Sequence, residues 1–328
     1  MPLGSLFFKV APALATGNVL IVKPSEKTPL GTLAVAPLFE KAGFPPGVVQ
    51  VVTGPGSTGA LLAEHMKIRK ISFTGSVATG RKIQIAAAKT NLKRVTLELG
   101  GKSPAVIFED ANLENALTWT INAILTRSGQ LCVAASRVYV QKSIATEFID
   151  KYKKRMEAAA NDLGDPQDPS VKLGPMVDRS HLKRVENMVE RGKSEAELLV
   201  GGSPKGDMGC YMTPTVFLNP NNDAEIYRDE IFGPVSIIKT FNTEEEVLKL
   251  ANDTEFGLMS GIFTKDVTRA LRVSSALESG VVGVNCISTL STQTPFGGKK
   301  QSGFGRELGE YALRAYTEPK TILINMAV

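Results

Sequence analysis

GNVLIVKPSEKTPLGTLAVAPLFEKAGFPPGVVQVVTG, residues 17–54, sets two apolar runs on either side of one amphipathic stretch. GNVLIVKP is apolar without alternation and bounded by Gly and Pro, which predicts a strand buried on both faces. TPLGTLAVAPLFEKAG predicts a helix ended by Gly43, and PGVVQVVTG a second buried strand. The alternation continues outward: GSTGALLAEHM reads as a helix, IRKISFTG as a third strand, and GSVATGRKIQIAAAKT as another helix. SRVYVQ, TPTVFL, PVSIIKTF, MSGIFTK and GVVGVNC repeat the strand theme, each beside a helical stretch. Strand and helix in turn predict an α/β protein with largely parallel sheets covered by helices. LGDPQDPSVKLGP, residues 163–175, is the clearest long loop, and no internal repeat is present.

The 328 residues, 43% of them hydrophobic, can bury a large core and suit two lobes better than one. A net charge of +5 arises from 38 basic and 33 acidic residues spread along the chain. Clusters such as Lys151-Tyr152-Lys153-Lys154-Arg155 read as solvated helix faces, so nucleic acid is not an expected partner. No apolar run reaches membrane-spanning length. The opening MPLGSLFFKVAPALATG imitates a secretion signal, but it has no basic start and Lys9 interrupts its apolar part, so it is taken as part of the fold. Cys132, Cys210 and Cys286 are widely separated and odd in number, which suits a reducing compartment, with cytoplasm the expected location.

Cys132, in TRSGQLCVAASR, follows a Gly-Gln turn, where a thiol can be either a packing residue or a nucleophile. Histidine is the usual activator of a cysteine, yet His65 and His181 lack a supporting Asn or Asp pattern and read as surface or capping residues. Without a Cys-x-x-Cys pair or a His pair at helical spacing, no metal site is expected. Glu98 offers another partner. In VTLELGGKSP it ends a strand-like run just before Gly100-Gly101, where a sharp turn can aim a carboxylate inward. Taken singly, Glu98 reads as an ordinary strand-end acid and Cys132 as a small buried side chain.

LELGGKSP and SGQLCVA together resemble the aldehyde dehydrogenase superfamily. FKVAPALATGNVLIVKPSEKTPL, FTGSVATG at 73–80, EIFGPV at 230–235, TPFGGKKQSGFGRELGEYAL at 294–313 and the final TEPKTILI extend the resemblance in the family's order. The resemblance implies an incomplete Rossmann-like cofactor lobe over residues 1–99, an α/β catalytic lobe over 100–300, and a return segment with an oligomerisation strand over 301–328. The lobes would meet near Glu98 to Lys102.

By the same resemblance Cys132 is the nucleophile, which adds to an aldehyde as a thiohemiacetal and retains a thioester after hydride loss. Glu98 would be the general base. Gly75, Ser76 and Gly80 would place helix-start N–H groups against the pyrophosphate of NAD. Lys23 and Glu26 would reach the adenosine ribose, and the Glu26 carboxylate, which repels a 2′-phosphate, favours NAD over NADP. Glu230 would hold the nicotinamide ribose and Phe232 would lie against that end of the cofactor. Lys102 and Asn285 are expected to be structural supports, and Cys210 and Cys286 packing thiols.

TEPKTILINM would be the oligomerisation strand of a homo-oligomer, or else a terminal strand within its own sheet. Family chains begin further upstream. Met1 stands at an aromatic position of their pattern, which puts the oxyanion-binding Asn one residue before it and leaves the Cys132 backbone N–H as the nameable donor. The expected activity is therefore NAD-dependent oxidation of an aldehyde to a carboxylic acid. The alternatives are a non-catalytic NAD-binding or subunit-association fragment, and a thiol hydrolase without redox chemistry.

Overall fold

The computed structural model describes residues 2–206 and 208–326; Met1 lies outside them, as do residues 327–328 of the expected return segment. The strands, in chain order, are β1 (Leu20–Val22), β2 (Val49–Val51), β3 (Lys70–Thr74), β4 (Arg94–Glu98), β5 (Pro104–Ile107), β6 (Arg137–Gln141) and β7 (Glu197–Val200). They continue with β8 (Thr215–Leu218), β9 (Val235–Phe241), β10 (Phe256–Gly257), β11 (Met259–Phe263), β12 (Val281–Val284), β13 (Lys299–Lys300) and β14 (Gly303–Phe304). The helices that position the site are α1 (Pro2–Ala15), α2 (Leu30–Lys41), α3 (Gly56–Glu64), α4 (Val77–Lys89), α5 (Leu113–Leu125), α6 (Ala145–Ala159) and α7 (Arg179–Glu195). Each strand expected from an apolar run is present, but β1 and β2 are only partly buried where burial was expected, with Ile21 44% exposed, because they pair only with each other in a two-stranded sheet.

The largest sheet has seven strands in the order β12-β11-β5-β6-β9-β8-β7. Every pairing in it is parallel except β7 against β8. Its central strands are buried on both faces, which explains why they read as unbroken apolar runs rather than alternating ones. One face packs on a core containing Leu117, Ile124, Phe148, Tyr152 and Phe263, and the other on Phe108, Tyr139, Val189, Phe217 and Phe241. Each such large apolar side chain contributes about 1.5–3 kcal/mol by leaving water. Arg137 is also fully buried, and its guanidinium donates to the carbonyls of Lys102, Leu250 and Ala251 and to the Tyr139 hydroxyl, so no donor-rich edge is left bare.

The sequence before β5 forms two smaller sheets. β1 and β2 pair in parallel, with Leu20 opposite Val49, and β3 pairs in parallel with β4. β14 then returns from far along the chain to run antiparallel to β4, setting Gly303 opposite Glu98. Side-chain caps start the helices as local chemistry dictates. Ser76 accepts from the Thr79 N–H at 3.3 Å, Asn112 from Asn115 at 3.1 Å, and Asp178 from His181 at 2.7 Å.

The terminal stretch 317–326 departs from one of its two readings: among the described residues it joins no strand. Leu323 in it is 90% exposed, with Ile322, Ile324 and Met326 nearly as open. Without a neighbouring strand edge in this chain, β-propensity alone does not define a strand.

Candidate active site

Glu98 is the last residue of β4, and burial there is nearly complete, at 3% exposure. Neither carboxyl oxygen takes a hydrogen bond from the described residues. Burial pushes its pKa up to about 9, and the nearby Glu307 adds to the rise, while Lys9 and Arg306 oppose it. At neutral pH Glu98 is therefore a neutral acid that ionises in the alkaline range. Lys9, on α1, pairs with Glu307 and donates to the Thr74 hydroxyl at 2.6 Å, so three distant segments meet beneath the carboxyl.

The turn after β4 lies directly against the cysteine segment. A Cβ added to Gly101 would stand 2.1 Å from the Cys132 carbonyl oxygen, and one on Gly100 would stand 2.4 Å from Glu230 Oε2. Only hydrogen fits at Gly101, where the neighbour is backbone, while at Gly100 the Glu230 side chain would have to give way. Gly101→Ala is accordingly expected to destabilise the fold by about 1–3 kcal/mol, as overpacking does, and to change the alkylation rate of Cys132. Denaturant unfolding and iodoacetamide kinetics check both parts; an unchanged protein would refute the close approach.

Cys132 follows α5 through three left-handed residues, Arg127, Ser128 and Gly129, with φ of +55°, +54° and +71°. Side chains hold this unusual path. Ser128 Oγ donates to the Gly174 carbonyl at 2.6 Å, and Gln130 donates to Pro175 and accepts from the Val177 N–H at 2.8 Å. At Gly129 an added Cβ would stand 2.0 Å from the Gly233 carbonyl, so the cysteine loop also touches the EIFGPV segment. The half-buried Cys132 thiol is pushed up to about 12, first by burial and then by the negative fields of Glu230 and Glu98. The resting group is a thiol, and any nucleophilic role requires a base to remove its proton.

Glu230 and Phe232 sit on a segment held from behind. Lys102, fully buried, donates to the Ile226 and Asp229 carbonyls at 2.6 and 2.5 Å. Burial lowers its ammonium to about 7. Arg184 donates to the Ile231 carbonyl at 2.6 Å and reaches that of Glu230 at 3.4 Å. His181 Nε2 donates to the Phe232 carbonyl at 2.8 Å, which assigns the proton to that nitrogen. Phe232 itself has φ +58°, a strained value for an aromatic residue. Glu230 Oε1 accepts from the Gly101 N–H at 3.0 Å, and burial raises its carboxyl to about 7.

The remaining expected residues lie at the carboxyl ends of the parallel strands β1 and β3. Lys23 Nζ donates to the Pro24 and Gly54 carbonyls at 2.8 and 2.9 Å and pairs with the exposed Glu26 at 3.6 Å. At the start of α4 two glycine N–H groups are already engaged. The Gly75 N–H is taken by the Glu98 carbonyl at 3.1 Å, and the Gly80 N–H by Ser76. Gly80 instead allows close packing, since a Cβ there would stand 2.8 Å from Leu99. Among the described residues, Val77 and Ala78 keep unclaimed first-turn N–H groups, the kind that receive a phosphate. The open helix start and the unpaired Glu98 carboxyl together fit a dinucleotide and a reacting group.

Sequence reasoning missed Lys9 and Glu307, whose spacing carries no local signal, and it read His181 only as a surface or capping residue. Asn285 spans Thr264, accepting from its N–H and donating to its carbonyl, both at 3.0 Å. No group of three or more His, Cys, Asp or Glu side chains among the described residues could hold a metal ion, and no helix among them is long and apolar enough to cross a membrane.

Comparison with known proteins places this arrangement. The sequence model of the aldehyde dehydrogenase family matches residues 1–322. Aldehyde dehydrogenase 1A1 of Oryctolagus cuniculus is 49% identical over 99% of this chain and 66% of its own length, and that of Homo sapiens 48% identical over 99% and 65%. The chain thus spans just under two thirds of the length of these relatives. Among solved structures, betaine aldehyde dehydrogenase of Staphylococcus aureus, in complex with NAD+, superimposes with a TM-score of 0.96 at 39% identity, covering 100% of this chain and 67% of that one. The indole-3-acetaldehyde dehydrogenase of P. syringae in complex with NAD+ gives 0.94 at 38% identity, covering 97% and 65%. With one family matching nearly every residue by sequence and by backbone, the chain belongs to the aldehyde dehydrogenase family.

Proposed function

We propose that this protein oxidises an aldehyde to a carboxylic acid with NAD, with Cys132 as nucleophile and Glu98 as general base. The observation that carries the reading is the buried, unpaired Glu98 carboxyl, with the turn that follows it resting on the Cys132 loop. Glu98 takes the thiol proton, and the Cys132 sulfur bonds to the aldehyde carbon. The Cys132 backbone N–H stabilises the oxyanion that forms. NAD, when bound, supplies the acceptor for the hydride the aldehyde gives up. Cys132 then holds the acyl group as a thioester; Glu98, having passed its first proton to solvent, draws a proton from water, and the resulting hydroxide displaces the thiolate, which takes that proton back as the acid leaves.

Lys23 and Glu26 would hold the adenosine ribose, Ser76 with the adjacent helix start the pyrophosphate, Glu230 the nicotinamide ribose, and Phe232 that end of the cofactor. Residues 1–99 would then serve as the cofactor unit, 100–300 as the catalytic unit and 301–328 as the return and association segment. The exposed Ile322, Leu323 and Ile324 support a strand completed by a second copy in a homo-oligomer, and three free thiols support a cytoplasmic setting.

The test is rapid mixing of the folded chain with NAD and a panel of aliphatic and aromatic aldehydes, read as NADH formation. A burst stoichiometric with Cys132 is expected. NAD binding without a burst would replace the proposal with a non-catalytic NAD-binding or association role. Because the ionised form of Glu98 is the working base, kcat/KM should rise about tenfold per pH unit through neutrality and level off above about 9. A flat profile between pH 6 and 9 would remove Glu98 from the base role.

A further inference from the structure

Lys27 lies in the turn that carries Lys23 and Glu26, yet it turns away from both. Its ammonium pairs at 2.5 Å with Asp178, far along the chain. Asp178 is the N-cap of α7: its other oxygen accepts from the His181 N–H at 2.7 Å and from the Ser180 hydroxyl at 2.8 Å. The hydrogen bond from Lys27, together with these, holds the Asp178 carboxyl far below the usual carboxylate range. One carboxylate therefore anchors both a turn of the β1–β2 region and the first turn of a helix that packs on the seven-stranded sheet.

The same first turn of α7 grips the EIFGPV segment. His181 Nε2 donates to the Phe232 carbonyl, its ring meets the Phe232 ring edge-on at 5.8 Å, and Arg184 one turn on holds the Ile231 and Glu230 carbonyls. A continuous path of charge-assisted and neutral hydrogen bonds thus runs from the Lys23–Glu26 turn to the Glu230–Phe232 segment. It bypasses the sheet altogether. It ends on a residue whose left-handed backbone needs outside support, because φ +58° is unfavourable for phenylalanine without it.

We propose that Lys27, Asp178 and His181 are positioning residues that tie the Lys23–Glu26 turn to the Glu230–Phe232 segment, fixing the spacing of the two ends of the dinucleotide site before the ligand arrives. The cofactor part rests on the proposed function above; the mechanical coupling does not. Preset spacing removes ordering cost from binding, so its loss weakens affinity without altering chemistry at saturation. Lys27 contacts no reacting atom, and its effect is confined to how well the two ends match the ligand.

The experiment uses the full chain in two states. In the ligand-free protein, amide hydrogen exchange of residues 226–236 is compared among wild type, Lys27→Ala, Lys27→Arg, His181→Ala, His181→Gln and the Lys27→Ala/His181→Ala double variant. Lys27→Ala should speed exchange in that distant segment about two- to fivefold, the scale of one exposed ion pair. Lys27→Arg and His181→Gln, which retain a donor, should restore it. The double variant should resemble His181→Ala alone, because both residues act along one path.

NAD titration of the same proteins should show Kd raised by a similar factor in Lys27→Ala, with the burst rate at saturating NAD unchanged. Unaltered exchange at 226–236 in Lys27→Ala, or effects of Lys27→Ala and His181→Ala that multiply independently, would overturn the coupling. Coupled exchange in a chain that binds no NAD would keep the tie and refute the cofactor assignment instead. Lys27 is a surface residue, so its variants fold even if His181→Ala does not.

Discussion

Cys132→Ala is expected to abolish aldehyde-dependent NADH formation, both burst and steady state, by on the order of 10⁴-fold or more. Removing one sulfur from a half-buried position leaves the left-handed loop intact, since Ser128, Gln130 and Gly129 hold it through other atoms. NAD affinity should therefore be retained, and the folding transition should move by less than about 1 kcal/mol. That combination separates a lost nucleophile from a lost fold. Steady turnover equal to wild type would sink the assignment and shift attention to the remaining thiols.

Glu98→Gln has nearly as large an expected effect, but on a different step. The amide keeps the shape of the side chain and cannot take a proton. Thioester hydrolysis should fall about 10²–10⁴-fold, the usual contribution of a positioned base. A hydride burst should persist at alkaline pH, where solvent can ionise the thiol, and steady turnover should then become slow relative to the burst. The levelling of kcat/KM near pH 9 should be lost with the carboxyl, leaving a shallower activity that keeps rising as the thiol itself ionises.

A stability measurement tests the same group without any substrate. The folded-state pKa of Glu98, about 9, lies above its ordinary value of 4.5, so the folded protein binds the proton more tightly than the unfolded chain. Its contribution to stability is fully present below about pH 4.5 and is lost as pH rises toward about 9. Wild type should therefore lose stability across that window relative to Glu98→Gln, in urea titrations at matched pH values. Parallel curves for the two proteins would mean that the carboxyl is solvated or paired in the folded state.

How far the sequence carried depends on whether the information was local. Strands buried on both faces advertise themselves as apolar runs, so β6, β9 and β11 were readable, whereas the four residues of β5 directly after a glycine turn were not singled out. The strand-end position of Glu98 was readable because two glycines follow it closely, but taken singly it read as an ordinary acid and only the family resemblance singled it out. Lys9 and Glu307 were not readable, because their pairing spans nearly the whole chain and each sits in an unremarkable local pattern. His181 shows the same limit: a surface or capping reading could not reveal the Phe232 carbonyl waiting on another segment. At α4, glycine spacing located the strand-to-helix turn, and only the fold shows that the Glu98 and Ser76 carbonyls claim the Gly75 and Gly80 N–H groups.

The return of β14 to β4 has a consequence for the order of events during synthesis. Glu98 is enclosed by Gly303 across the ladder, by Ser302, which bonds to Leu99 and Gly100, and by Glu307. All are made some two hundred residues after the acid they surround. Such distant closures form late, because a long loop must be ordered first. A nascent chain can already display Cys132 and its loop while Glu98 is still an ordinary, solvated acid. Competence arrives in a single late docking event, and a refolding experiment should show helix and sheet signals recovering before the acid acquires its raised pKa.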